Sequence, residues 1–349
     1  MLAHLAASLG TVHRPTASFN NELGVPLTIL GTPDDCALLI AEVGTNAPGE
    51  IATLTSWVSA SVGVITAIAP VHLAGLGSLD GVRREKGALL EALVPAADGS
   101  PPVAWVPHEE SEAFALRARD AANEVRVRTF GEGGESEVRI VDADRVAWHL
   151  EGRVHRFPFP AFPRHRTQLL AAALAVGSTL AIEPEAMLAH VASLPEPPLR
   201  GEVRRVGDID LILDCYNSSP VALRASIERL EHEAATGRRC CVLATMEELG
   251  GESATYHREI GRRLAESPIE TVFVTGEGGA WIGDGMQQGG RDAVPILLDD
   301  SATPDEDAAR TVAAALAPGD RVLFKGSRSA RLEEFAARVA CLLDERGTR

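Results

Sequence analysis

The sequence has no run of about 20 apolar side chains, the length a bilayer-spanning helix needs. It opens on Met1-Leu2-Ala3-His4-Leu5, a mixed helical start without the charged and apolar regions of a secretion signal. Membrane insertion and export are therefore not expected, and the chain reads as cytoplasmic. Repeats of solenoid period and low-complexity tracts are also missing. Cysteine is sparse, and Cys36, Cys215, Cys240, Cys241 and Cys341 show neither metal-ligand nor redox spacing. The adjacent pair stands in an apolar run, so reduced, buried thiols are expected. Positive charge is outnumbered: 33 Lys and Arg face 49 Asp and Glu, a net charge of −16 that repels nucleic acid and anionic membrane. An anionic ligand must then be met by local cations, with Arg200, Arg328 and Arg331 as candidates, although Arg331 is as well suited to a surface ion pair.

What is present is a 45% hydrophobic composition over 349 residues, enough for two domains that each bury a core. The segment LILDCYNSSP (211–220) runs from three apolar residues into a polar, turn-forming cluster that begins at Asp214, which places Asp214, Tyr216 and Asn217 at the carboxyl end of a buried strand. In open α/β sheets that edge is where ligands bind. A second such unit lies at 321–343, where VLF leads into Lys325-Gly326-Ser327-Arg328 and then an amphipathic helix. Its cation, hydroxyls and helix-start amides suit a carboxylate or a phosphate, although a strand–turn–helix also uses Gly and Ser for geometry alone. Residues 1–92 alternate helix-like and strand-like runs, as a parallel sheet does. Residues 103–160 read as a short-strand insertion. The stiff Leu194-Pro195-Glu196-Pro197-Pro198 marks a linker, after which strands are predicted near 211–214, 240–244, 271–274, 295–298 and 321–324.

Together and in this order these motifs resemble the Mur ligases. The family's D-x-Y-N-A-N-P stands here as DCYNSSP, its K-G-S-R is intact at 325–328, and its L-E-L-G followed by His appears as MEELGGESATYH (246–257). The likeness extends through FNNELGVPLTIL (19–30), AEVGTNAPGEIA (41–52) and APVHLAGLGSLDGVRREKG (69–87), covering nearly the whole chain. It implies an α/β fold: a central parallel-sheet domain over 1–198 that begins just past its phosphate-loop strand, followed by a Rossmann-like domain over 199–349. The branch most resembled adds D-alanyl-D-alanine to UDP-N-acetylmuramoyl-tripeptide, using ATP and Mg²⁺ in peptidoglycan precursor synthesis. A UDP-linked muramoyl peptide and a D-amino-acid dipeptide would then be the partners.

The resemblance also assigns residues. Glu42, His72 and Lys86 would hold metal, with Lys86 carbamylated and both Lys86 and His72 acting in catalysis. Magnesium favours oxygen, which supports Glu42 over His72. Arg200, Asp214, Tyr216 and Asn217 would hold the nucleotide. Asn20, Asn21, Lys325, Ser327 and Arg328 would face the substrates, with Asn217 beside the incoming amino component. Without the surrounding motif, Lys86 would be a solvated helix lysine and His72 a structural histidine.

Several departures bear on function. No G-x-x-x-x-G-K-[ST] occurs in the 349 residues, although the family cradles ATP phosphates on such a loop. The family's H-N-V-x-N reads His165-Arg166-Thr167-Gln168-Leu169, the Gly before Arg200 is Leu199, and the second Asn of the strand-end motif is Ser219. Two explanations are open: a coding start placed too late, which is favoured, or a shortened homologue without nucleotide chemistry that binds a partner or precursor. A folylpolyglutamate-like ligase is disfavoured, because that relative carries a D-G-A-H-N type of sequence where this chain has D-x-Y-N.

Overall fold

The computed structural model describes residues 1–132, 136–142, 145–150, 153–158, 164–291, 295–299 and 303–347. The chain divides into two compact units, Met1–Pro195 and Glu196–Arg349. Among the described residues no helix is long and apolar enough to cross a membrane.

In the first unit β1 (Thr11–His13) and β2 (Cys36–Leu39) pair in parallel. A six-stranded sheet follows in sequence order: β3 (Val62–Val64), β4 (Val103–Pro107), β5 (Arg126–Gly131), β6 (Val138–Asp142), β7 (Arg145–Leu150) and β8 (Arg153–Pro158). Strands β3 to β6 are parallel, and β6 to β8 are antiparallel. This corrects the insertion expected over 103–160. VAWVP and RVRTFG continue the main sheet beside β3, and only the β7–β8 hairpin departs from the parallel pattern. Trp105, Val106 and Phe130 are fully buried there, as a parallel sheet covered on both faces demands. The helix Arg164–Thr179 supplies Leu170, Leu174 and a run of alanines to the core that holds Trp105 and Phe130. Its small side chains let the helix lie close to the sheet.

The second unit is one sheet in the order β13-β12-β11-β14-β10-β9. Its strands are β9 (Glu202–Val206), β10 (Ile209–Leu213), β11 (Arg239–Ala244), β12 (Thr271–Thr275), β13 (Ile296–Asp299) and β14 (Arg321–Lys325). All pair in parallel except β9, which runs antiparallel to β10 at the edge. The five predicted strands are present. The unpredicted β9 is a polar edge strand, with Val203, Arg204 and Arg205 exposed, so it lacks the apolar run that marks a central one. Strand β14 lies between β11 and β10, so the chain reverses its direction of travel across the sheet there. That is a topological switch point, and the carboxyl ends of these three strands are where a doubly wound fold places a ligand.

Candidate active site

In the first unit, the segments that leave β1, β2 and β3 carry the residues singled out in the sequence. Asn20 donates from Nδ2 to Glu42 Oε1 at 2.8 Å, while its carbonyl accepts from the Gly44 amide at 2.8 Å. A Cβ on Gly44 would stand 2.9 Å from the Asn20 side chain, so a larger residue there would push the Asn20 amide away from its bond to Glu42. Asn21 accepts through Oδ1 from the Leu23 and Gly24 amides at 3.1 and 3.0 Å, fastening the start of the helix Gly24–Leu30. His72 has a left-handed backbone (φ 54°) at the start of the helix Leu73–Leu76. It lines a cavity of about 160 Å³ with Asn20, Asn21, Glu22, Thr45 and Glu50.

Two carboxylates fasten the 46–51 segment, part of which lines that cavity. Glu50 accepts from the Asn46 and Ala47 amides at 2.6 and 2.9 Å, and these bonds hold its carboxyl below the usual range. Glu85 reaches over from the helix Leu79–Ala92 and accepts from the Gly49 and Ile51 amides at 2.7 and 2.8 Å, at the start of the helix Glu50–Val58. Sequence reasoning missed Glu85. Its signal was an acid on an apolar stripe, three residues after Val82 and four before Leu89. Replacing Glu85 with alanine leaves two helix-start amides unpaired in a buried place and should cost about 2–4 kcal/mol. A urea titration that shows an unchanged midpoint for the first unit would contradict this.

Lys86, next along that helix, is half-buried and donates to the Ala67 carbonyl at 2.9 Å. Burial pushes its ammonium below the ordinary lysine range. Glu42 is exposed. Among the described residues no group of three His, Cys, Asp or Glu side chains stands close enough to hold a metal ion. A magnesium ion that keeps phosphate and water ligands needs only one or two carboxylates from the protein. Glu42, bonded at one oxygen to Asn20, fits that requirement.

The second unit gathers its residues at the ends of β10, β14 and β11. Arg200 is exposed and stacks its guanidinium over the Tyr216 ring at 4.4 Å. The Tyr216 amide donates to the Leu199 carbonyl at 3.1 Å. Asp214 accepts from Ser226 Oγ at 2.5 Å and lies 3.3 Å from Lys325 Nζ. Asn217 turns its side-chain oxygen onto the Ser218 amide at 2.8 Å, and Ser219 caps the helix Pro220–His232 by accepting from the Ala222 amide at 3.3 Å. A serine therefore serves as cap where the family has its second Asn.

Lys325, Gly326 and Ser327 are buried, and of this motif only Arg328 is exposed, paired with Glu333. Arg331 pairs with Glu334 on the surface. Gly326 packs against the end of β11, and a Cβ there would stand 2.7 Å from Ala244 Cβ. Ser327 Oγ accepts from the Glu247 amide at 2.9 Å, and Ser329 Oγ donates to Glu247 Oε1 at 2.6 Å. His257, fully buried, accepts the Met246 amide on Nε2 at 2.9 Å and donates from Nδ1 to the Ser253 carbonyl at 2.7 Å. Burial lowers its pKa, which favours the neutral ring this bonding requires.

These loops belong to a recognisable pattern. Residues 1–177 match the Mur ligase middle domain, and residues 199–328 match the Mur ligase glutamate ligase domain. The chain belongs to the Mur ligase family. It is 29% identical over 338 residues to the UDP-N-acetylmuramoyl-tripeptide--D-alanyl-D-alanine ligase of Bacillus subtilis (strain 168), covering 94% of this chain and 70% of that one. The ligase of the same name from Mycobacterium tuberculosis (strain ATCC 25618 / H37Rv) is 30% identical over 362 residues, covering 96% and 69%. Among solved structures, MurF from Acinetobacter baumannii superposes with a TM-score of 0.82 at 23% identity, over 97% of this chain and 72% of that one. The Thermotoga maritima MurF ligase in complex with ADP gives 0.80 at 24%, over 99% and 77%. At those identities the structures show a shared fold.

Proposed function

We propose that this chain is an ATP-dependent amide-bond ligase of cytoplasmic peptidoglycan precursor synthesis, adding D-alanyl-D-alanine to UDP-N-acetylmuramoyl-tripeptide. The observation that carries this is the match of both units, in order and over 94% of the chain, to a relative of that name. In this reading residues 1–198 handle phosphate and metal, and residues 199–349 hold the nucleotide and the incoming amine. A carboxylate oxygen of the tripeptide attacks the γ-phosphorus of ATP, and the bond to ADP breaks. The dipeptide amine then attacks the acyl carbon of the mixed anhydride and loses a proton, and the tetrahedral adduct expels phosphate with the former carboxylate oxygen. Both steps gather negative charge, which fixed cations and amides stabilise most when they are preorganised.

Among the residues present, Glu42 would anchor a magnesium ion that arrives with the nucleotide, with His72 beside it. Such an ion, when bound, neutralises charge on the phosphate oxygens. Lys86 suits modification by carbon dioxide, since its lowered pKa favours the neutral amine. Nζ attacks the carbon of CO₂ and releases a proton, which turns a cation into a carboxylate. Arg200, Asp214, Tyr216 and Asn217 would hold the nucleotide, while Asn20 and Arg328 face the substrates.

A second reading, a non-catalytic homologue that binds a precursor or a partner, is favoured by one feature: His165-Arg166-Thr167-Gln168-Leu169 stands where the family has H-N-V-x-N, without its two amide side chains. A phosphate-release assay with ATP, UDP-N-acetylmuramoyl-tripeptide and D-alanyl-D-alanine separates the two. The 349 residues alone are expected to be silent, because losing a single donor to the transition state already costs about 10²–10³ in rate. A form that carries the family's phosphate loop ahead of Met1 is expected to turn over. Silence from both forms favours the non-catalytic homologue, and full activity of the 349 residues alone would contradict this account of phosphate binding.

A further inference from the structure

The sequence has 33 lysines and arginines, of which Lys86 and Lys325 are the only lysines. The remaining cations of this kind are arginines. A lysine supplies a compact ammonium or a deprotonable amine, which arginine does not. Lys86 fits the second of these roles.

Lys325 fits the first. It ends β14, the middle strand of the switch point, and is 2% exposed. Its ammonium donates to the Asp214 carbonyl at 3.1 Å and the Asn217 carbonyl at 2.7 Å, and it lies 3.3 Å from the Asp214 carboxylate. An ammonium has three protons, and this geometry gives each of them an acceptor inside the protein, so none remains for a ligand. The two carbonyls bracket the turn that carries Tyr216, whose amide is bonded to Leu199 and whose ring supports Arg200. On the other side of the strand, Ser327 Oγ holds the Glu247 amide. The Lys325-Gly326-Ser327 turn thus fastens the loops of both neighbouring strands, β10 and β11.

We infer that Lys325 is a positioning residue: its buried ammonium holds the Asp214–Asn217 turn, and through Tyr216 the guanidinium of Arg200, in place for the nucleotide, and it does not touch the incoming amine. The role at the turn stands on the geometry, and its consequence for the nucleotide rests on the function proposed above. Asp214 is the acid that faces the ammonium, and Arg200 and Cys215 are the other titratable groups that influence it.

Three measurements test this, two of them independent of ligase activity. In the unaltered chain, acetic anhydride should leave Lys325 unmodified under native conditions and modify it after unfolding; native modification overturns the proposal. The chain has two tyrosines, Tyr216 and Tyr256, so a tyrosine-labelled NMR spectrum has two sets of ring signals, which Tyr216→Phe assigns. Lys325→Met and the charge-conserving Lys325→Arg should both shift the Tyr216 signals and leave those of Tyr256 in place. Tyr216 signals unmoved in both variants overturn the proposal. In a form that turns over, Lys325→Met should raise KM for ATP about tenfold, the scale of a lost charge-assisted hydrogen bond, with KM for the dipeptide unchanged. A rise in KM for the dipeptide alone would show that Lys325 touches the amine substrate. If no form turns over, the proposed function fails, and the labelling and NMR results still decide the role of Lys325 at the turn.

Discussion

Asp320→Ala is expected to cost the second unit about 3–5 kcal/mol, a large share of the stability of an ordinary domain. The carboxylate of Asp320 is 2% exposed. It accepts from the Arg238 amide at 2.8 Å, the Arg238 guanidinium at 2.6 Å and the Ala317 amide at 2.9 Å. Removing it strands two amides at the amino ends of β11 and β14, opposite the site edge, and leaves the Arg238 guanidinium with the Ala315 carbonyl as its acceptor. Gly237 approaches so closely that a Cβ would lie 2.6 Å from the Gly319 carbonyl carbon, so the neighbouring loop has little room to collapse into the gap. A fall of about 10–20 °C in melting temperature is the corresponding calorimetric result. Burial by itself raises the Asp320 pKa, but the Arg238 side chain and the two amides outweigh it and hold the carboxyl below the ordinary aspartate range. The charged form is therefore favoured in the folded state. Its contribution is present above the unfolded aspartate value, near pH 4, and is lost as the pH falls through the folded value. Wild type and Asp320→Asn should differ most at neutral pH and converge in acid. A gap that widens in acid would reverse the sign.

Lys86 should show the largest effect on turnover. In a form that carries the phosphate loop, Lys86→Met and Lys86→Arg are both expected to reduce kcat by about 10²–10³, the scale of one lost transition-state contact. Arginine keeps the charge and the reach but cannot lose a proton to become a carbamate. The comparison separates two roles for the lysine, since an arginine variant with near-normal kcat would mean that a plain cation suffices. Bicarbonate should raise the activity of the wild type and leave both variants unchanged.

The strand-end motifs were legible because a buried parallel strand writes itself as an apolar run, and the turn that breaks it falls at the edge where ligands bind. LILD and VLF announced β10 and β14 in this way, with Asp214 and Lys325 at their ends. Strand β9 escaped because EVRRV is half-exposed at an edge. Strands β4 and β5 read as an insertion because each is short and is followed by polar sequence, while β3, which pairs with β4 and so joins both to the main sheet, is distant in the chain. Side-chain direction was the least legible feature. The motif K-G-S-R gives no sign that its lysine and serine turn inward to neighbouring loops while its arginine turns outward. Glu85 was hidden for a related reason: a carboxylate that caps a helix 34 residues away leaves only a misplaced charge on an apolar stripe.

The central claim, amide formation through an acyl phosphate on a muramoyl tripeptide, is tested most directly by isotope transfer. UDP-N-acetylmuramoyl-tripeptide labelled with ¹⁸O in its reacting carboxylate is incubated with ATP, D-alanyl-D-alanine and the form of the protein that carries the phosphate loop, and both products are weighed by mass spectrometry. The account predicts one ¹⁸O atom in each phosphate released, with an equal amount of tripeptide extended by the dipeptide. Phosphate released without label, or label recovered in AMP, would contradict it.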